Sequence, residues 1–153
     1  MLTKIKDFFE QNINTPDDKV HEERRIQLAT AALLIEMMLQ DDKIHHNEIK
    51  VIKDSLSTTF GLPEGETQQL FELAEYELTQ ATDYYQFTSL IQKHYNQHEK
   101  IHIIELLWRV AYADSELDVY EEHMIRKISD LIYVPHSDFL KAKFKVQNSL
   151  NQS

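Results

Sequence analysis

The sequence predicts an all-α fold, a compact bundle of seven or eight helices with an internal pseudo-two-fold repeat. Three observations lead there. Only 2 Gly and 3 Pro occur in 153 residues, which leaves few sites for tight turns. Apolar residues recur at helical spacing, and no stretch shows the period-2 alternation of a half-buried strand. A polar motif also follows an apolar helical run twice, as DDKIHHNE after ALLIEMML and as DSELDVYE after IIELLWRVAYA.

The length suits one domain over 1–153, with repeat units at about 16–80 and 83–148. In the first segment, Leu2, Ile5, Phe8, Phe9 and Ile13 share a helical face, with Lys4 and Lys6 off it. Such a face either packs on the domain or lies on a membrane surface. Two lysines attract anionic lipid weakly, so packing is expected and membrane association is peripheral at most. Thr15-Pro16 reads as the start of a helix running to about Gln40, and Asp17 and Asp18 complement its positive end. From Ile26 to Leu39 that helix is apolar nearly all round, so it should be buried on all sides.

A helix from about His46 to Phe60 follows, with Ile49, Ile52 and Leu56 inward. Gly61 is expected in a left-handed cap, and Pro63 opens the next helix, to about Gln80, with Leu70, Leu73, Ala74 and Leu78 inward. Thr82 or Asp83 can cap another helix that directs Phe87, Leu90 and Ile91 to the core. His98–Tyr112 forms a second central apolar helix. Val119–Tyr133 points Met124, Ile125, Ile128 and Leu131 inward. Pro135 restarts the chain, Ser137 or Asp138 leads a last helix through Phe139, Leu140 and Phe144, and the terminal NSLNQS should fray.

Composition excludes several functions. Without Cys there are no disulfides, thiolate zinc sites or cysteine nucleophiles. A net charge of −10 with no basic stripe argues against nucleic acid. The two glycines cannot build a phosphate-cradling loop, and no nucleophile elbow is present. The acidic run from Gly61 to Gln92, which lacks Lys and Arg, reads first as a solvated helical face. MLTKIKDFFEQ has no secretory apolar core, and no apolar stretch is long enough to span a bilayer. A cytoplasmic location is expected.

The two polar motifs define the repeat. Asp41 and Asp114 lie 73 residues apart, and the same offset pairs Leu33 with Leu106, Leu34 with Leu107, Ile44 with Leu117, Glu48 with Glu121 and Ile52 with Ile125. One deletion later, Pro63 pairs with Pro135 and Glu66 with Asp138. The pattern D-x-x-(I/L)-x-x-x-E after a buried helix, occurring twice in a small helical chain, resembles the tellurite-resistance TerB-like domain over roughly Arg25 to Lys145. Members of that family usually carry Gly directly after the Asp. Here Asp42 and Ser115 stand there, and His45 replaces the Asp or Ser often found four residues after the first Asp.

Folding alone explains part of each motif. His45/Glu48 and Asp118/Glu121 have the N-cap to N3 spacing of a capping box, and Ile44 and Leu117 precede them as staples. The aspartates are different. Each follows the C-terminal end of a helix, where the dipole disfavours a carboxylate by up to about 1 kcal/mol. Turn N–H groups or a divalent cation would compensate, and hard oxygen donors favour Ca²⁺ or Mg²⁺. Neither turn is an EF-hand loop, because Lys43 and His46 occupy positions that need an oxygen ligand and a Gly. The family resemblance implies a negatively charged, metal-binding patch formed by Asp41, Glu48, Asp114 and Glu121. It also implies a non-enzymatic role in bacterial stress or tellurite resistance, with an unknown protein partner.

Two alternatives remain. The acidic turns are caps on a pure protein-interaction module that binds no metal. Or His98-Glu99-Lys100-Ile101-His102 is the H-E-x-x-H of a zinc peptidase. A charged Lys inside the motif, no substrate-binding strand and no clear third ligand argue against the peptidase. His45 and His46 lack counterparts in the second motif and read as an exposed loop.

Overall fold

The computed structural model describes residues 3–13, 22–40, 46–79, 85–113 and 119–151. Among them every regular element is a helix: α1 (Thr3–Phe8), continued by a π-helical turn (Phe9–Ile13), α2 (Glu22–Leu39), α3 (His46–Phe60), α4 (Glu64–Leu78), α5 (Gln86–His94), α6 (Gln97–Tyr112), α7 (Val119–Leu131) and α8 (His136–Asn151). The predicted helix start at Thr15-Pro16 lies outside the described residues.

Helix α2 is the axle. Every residue from Leu28 to Met38 is buried, as an all-round apolar pattern requires. It packs on α4, α5, α6 and α7, and α6 packs in turn on α8. Helix α6 is less enclosed than its composition suggests. Ile103, Ile104, Leu106, Leu107, Trp108, Val110 and Ala111 are buried, while Arg109 is exposed and Glu105 partly so. The N-terminal segment belongs to the same core: Ile5, Phe8, Phe9 and Ile13 are buried, and the Phe8 ring meets Phe87 of α5 edge-on at 6.2 Å.

The N-terminal segment is fixed by a polar node. Both the Tyr95 hydroxyl and Arg25 Nη1 donate to the Ile13 carbonyl, at 2.9 and 3.3 Å. The Arg25 guanidinium lies 4.8 Å from the centre of the Tyr95 ring and pairs with Glu99. Burial opposes the Arg25 charge, but hydrogen bonding to Glu99 and the nearby Tyr95 and Glu99 hold its pKa above the ordinary value. Burial also raises the Tyr95 hydroxyl.

Two helix ends are built alike. Gly61 (φ 66) follows α3 and Tyr133 (φ 64) follows α7, both left-handed. Ser57 Oγ donates to the Leu62 carbonyl and Ser129 Oγ to the Val134 carbonyl, each at 3.3 Å. Pro63 and Pro135 then offer their carbonyls to the first turns of α4 and α8. The prolines thus stand just before their helices, and α8 begins at His136 rather than at Ser137 or Asp138.

Other details differ from expectation. Leu78 and Phe144 are 41% and 53% exposed rather than inward, and Ala142 and Val146 are what α8 buries besides Phe139. Helix α8 continues through Asn151, so most of the terminal stretch expected to fray is helical. Helix α5 starts at Gln86, and Thr82 and Asp83, the expected caps, lie outside the described residues. Its capping position is Tyr85, left-handed at φ 60, which makes no side-chain cap.

Candidate functional site

The sequence-predicted ligands are placed unequally. Asp41 and Asp114 lie outside the described residues. Each directly follows a helix-ending turn, Gln40 after α2 and Ala113 after α6, whose amides donate to Glu36 O and Val110 O. Position 48 falls in the first turn of α3, and its side chain is also outside the described set. Glu121, in the first turn of α7, is half-buried and lines a small cavity.

That cavity is lined by Leu34 and Leu107, Ile52 and Ile125, and also by Val110 and Ala111 of α6, with Ser55 and Glu121 as its polar lining. The first two pairs are each separated by the 73 residues that separate Asp41 from Asp114. Position 48 is one helical turn before Ile52, as Glu121 is before Ile125. The cavity, about 10 Å³, holds no more than one water, so it is a seam and not a ligand pocket. Among the described residues no three His, Asp or Glu side chains gather to hold a metal ion.

The H-E-x-x-H motif is occupied by structural work. Glu99 closes a capping box with Asn96: Asn96 Oδ1 accepts from the Glu99 amide at 2.8 Å, and Glu99 Oε1 from the Asn96 amide at 2.9 Å. Its other oxygen pairs with Arg25. His102 lies between Glu23, 2.8 Å from Nε2, and Glu105, 3.5 Å from Nδ1. A general base already serving as helix cap and ion-pair partner is poorly placed to activate water.

A cleft of about 310 Å³ between α3 and α4 is lined by Lys50, Lys53, Asp54, Ser57, Glu64 and neighbouring residues. Its lysines are partly used internally. Lys53 donates to Gln68 at 3.2 Å and sits 4.4 Å over the Phe71 ring. Mixed charge and internal pairing suit a solvated groove better than an anion site.

A pair of acidic residues that the sequence reading passed over is the most unusual polar cluster described. Glu36 of α2 and Glu77 of α4 are both fully buried. Glu36 Oε2 accepts from the Phe87 amide at 2.8 Å, and Oε1 from the Thr88 amide at 3.0 Å and the Thr88 hydroxyl at 2.6 Å. Glu77 Oε2 accepts from the Gln86 amide at 2.9 Å and Oε1 from Gln40 Nε2 at 2.7 Å. The three orphan amides at the start of α5 are therefore satisfied by carboxyls from two other helices. Burial first, then the neighbouring Glu77 carboxylate, hold the Glu36 carboxyl well above its usual range, and the Thr88 bonds offset part of this. The signal for Glu36 was in the sequence: a lone Glu in a helix apolar on every side has nowhere to go but inside.

The family model described as tellurite resistance protein TerB matches residues 27–144, most of the chain. The chain belongs to the TerB family. Comparison with curated proteins and with solved structures returns no match. TerB is not in general a family of enzymes. In this TerB domain no described helix is long and apolar enough to cross a membrane.

Proposed function

We propose that this TerB domain is a non-enzymatic, cytoplasmic module of tellurite-resistance and stress systems. Its acidic face, formed by Asp41, Glu48, Asp114 and Glu121, takes a divalent cation and supports association with a partner protein. The observation that supports this best is the seam between α3 and α7. Glu121 borders it, four of its six apolar lining residues form two pairs 73 residues apart, and the aspartates share that spacing. The seam draws together the helices that the two acidic turns introduce. A net charge of −10 raises the local concentration of cations, and oxygen-only donors favour Ca²⁺ or Mg²⁺ over Zn²⁺.

The test is calorimetric titration and thermal denaturation with Ca²⁺, Mg²⁺, Mn²⁺ and Zn²⁺, on the wild type and on the Asp41→Asn/Asp114→Asn variant. A cation at 100 times its Kd stabilises the fold by about 2.7 kcal/mol, a rise in Tm of roughly 5–10 °C. The expected result is such a rise with Ca²⁺ or Mg²⁺ in the wild type and none in the variant. No heat and no shift with any ion refutes cation binding and leaves an interaction module with capped turns. Zinc retained through purification together with peptidase activity would favour the His98–His102 motif.

A further inference from the structure

We propose that Glu36 and Glu77 form a proton-dependent latch. One proton shared between their carboxyls fixes the start of α5 to α2 and α4, and its loss frees α5 and the N-terminal helix packed on it.

The geometry favours the proton. Glu77 and Glu36 accept from the consecutive amides of Gln86 and Phe87, so two buried carboxyls lie side by side, and such carboxyls can hydrogen-bond each other only if one is protonated. Two ionised carboxylates in contact in a dry interior repel strongly. Among the described residues no Lys, Arg or His forms an ion pair with either one. Of the described groups on the helices packed against α2, the charged one acting on Glu36 is Glu77 itself. From α5 the pair meets the Gln86 amide and Thr88, and from α2 it meets Gln40. Two described lysines on neighbouring helices are committed elsewhere. Lys4 of α1 lies 4.4 Å over the ring of Tyr76, which precedes Glu77, and Lys127 of α7 lies 5.8 Å from the ring of Tyr85, which precedes α5. The N-terminal dipole of α5, about half a charge, can offset one carboxylate in part but not two.

What the pair holds is set by its bonds. Glu36 fixes the Phe87 amide, and the Phe87 ring is the surface on which Phe8 of α1 packs. Tyr85, just before the bonded amides, is left-handed, a conformation that costs a non-glycine residue energy. The folded protein keeps a proton that the unfolded chain releases near pH 4.5, the ordinary value for this group. The stabilisation is complete below that pH and is lost as pH rises through the higher folded value.

Carboxyl-detected NMR titration of the ¹³C-glutamate-labelled full chain tests the proton, and hydrogen exchange tests the latch. One glutamate carboxyl should titrate well above pH 4.5 in the wild type, and that step should vanish in Glu36→Gln, whose amide imitates the protonated acid. Protection at the amides of Gln86, Phe87 and Thr88, corrected for intrinsic exchange against α6 amides, should fall by up to about ten-fold per pH unit between pH 4.5 and the folded value and level off above it. In Glu36→Gln it should stay flat. The proposal is overturned if all glutamates titrate in the ordinary range. It is equally overturned if protection at these amides changes with pH alike in both proteins. If Glu36→Gln does not fold, the wild-type titration and exchange decide alone, since a raised carboxyl without a matching loss of protection also refutes the latch.

Discussion

Phe9→Ala decides whether the N-terminal segment is part of the fold or an adhesive face laid on it. Phe9 is fully buried, with its ring 5.5 Å from that of His94 and 6.5 Å from that of Tyr95. Truncation loses about 2 kcal/mol of transfer free energy, and the cavity left behind adds more. His94 is exposed and forms one wall of the site, so the cavity can partly collapse. The total should fall in the lower part of the usual Phe→Ala range, about 3–4 kcal/mol. For a chain of this length that is a drop in Tm of roughly 6–16 °C. Phe144→Ala is the matched control: the same substitution on a residue 53% exposed, expected within about 1 kcal/mol of wild type. Thermal denaturation followed by far-UV circular dichroism compares the two variants. Equal, small shifts would refute the packed reading and leave the segment free to meet a membrane.

The remaining predictions concern caps and one partly buried ion pair. A Cβ at Gly61 meets no atom within 4 Å, so Gly61→Ala should cost only the left-handed backbone, about 1 kcal/mol in urea denaturation. Tyr133→Gly should act in the opposite sense at the equivalent end of α7. A tyrosine 68% exposed at φ 64 gives up little packing, and relief of the backbone should stabilise by about 0.5–1 kcal/mol. An unchanged or lower midpoint for Tyr133→Gly would show that Tyr133 makes contacts that outweigh its conformation. Arg25→Met removes a guanidinium from a pair whose side chains are each 14% exposed, leaving Glu99 uncompensated. The expected loss is about 3 kcal/mol, at the low end because Tyr95 still donates to the Ile13 carbonyl. A loss below about 1 kcal/mol would show that Glu99 is solvated without its partner.

The fold was legible where one residue's surroundings follow from its own helix. The Leu28–Met38 run could be read as buried because it is apolar on every side, and Gly61 could be read as left-handed because little else tolerates that backbone. Legibility failed where the deciding partner is distant in sequence. Leu78 and Phe144 satisfy a helical period, but neighbouring helices choose which apolar positions are covered. At the start of α5 the sequence offered Thr82 and Asp83 as local caps, which lie outside the described residues, whereas the carboxyls that satisfy the Gln86 and Phe87 amides come from 9 and 51 residues away. In the candidate site, repetition exposed the aspartates, since two independent placements against a helix dipole ask for one cause. Glu36 has no such echo: its counterpart 73 residues on is Arg109, which is exposed.

The chain therefore carries two kinds of costly carboxylate, and they call for different counter-charges. Glu36 and Glu77 sit at a helix N-terminus in a dry interior, where the dipole and three amides already supply positive charge. What is lacking there is one unit of neutralisation in a space without room for a hydrated ion, and a proton is the species small enough. Asp41 and Asp114 follow helix C-termini, where the dipole adds negative charge. In the proposed site a divalent cation would relieve both together and would bind best when both are ionised. The two proposed devices would thus respond to pH in opposite senses. Alkalinity would strip the proton from the latch, whereas the cation would be bound by ionised aspartates. Glu36→Gln should leave the cation response intact, and Asp41→Asn/Asp114→Asn should leave the carboxyl titration intact, so each proposal stands or falls alone.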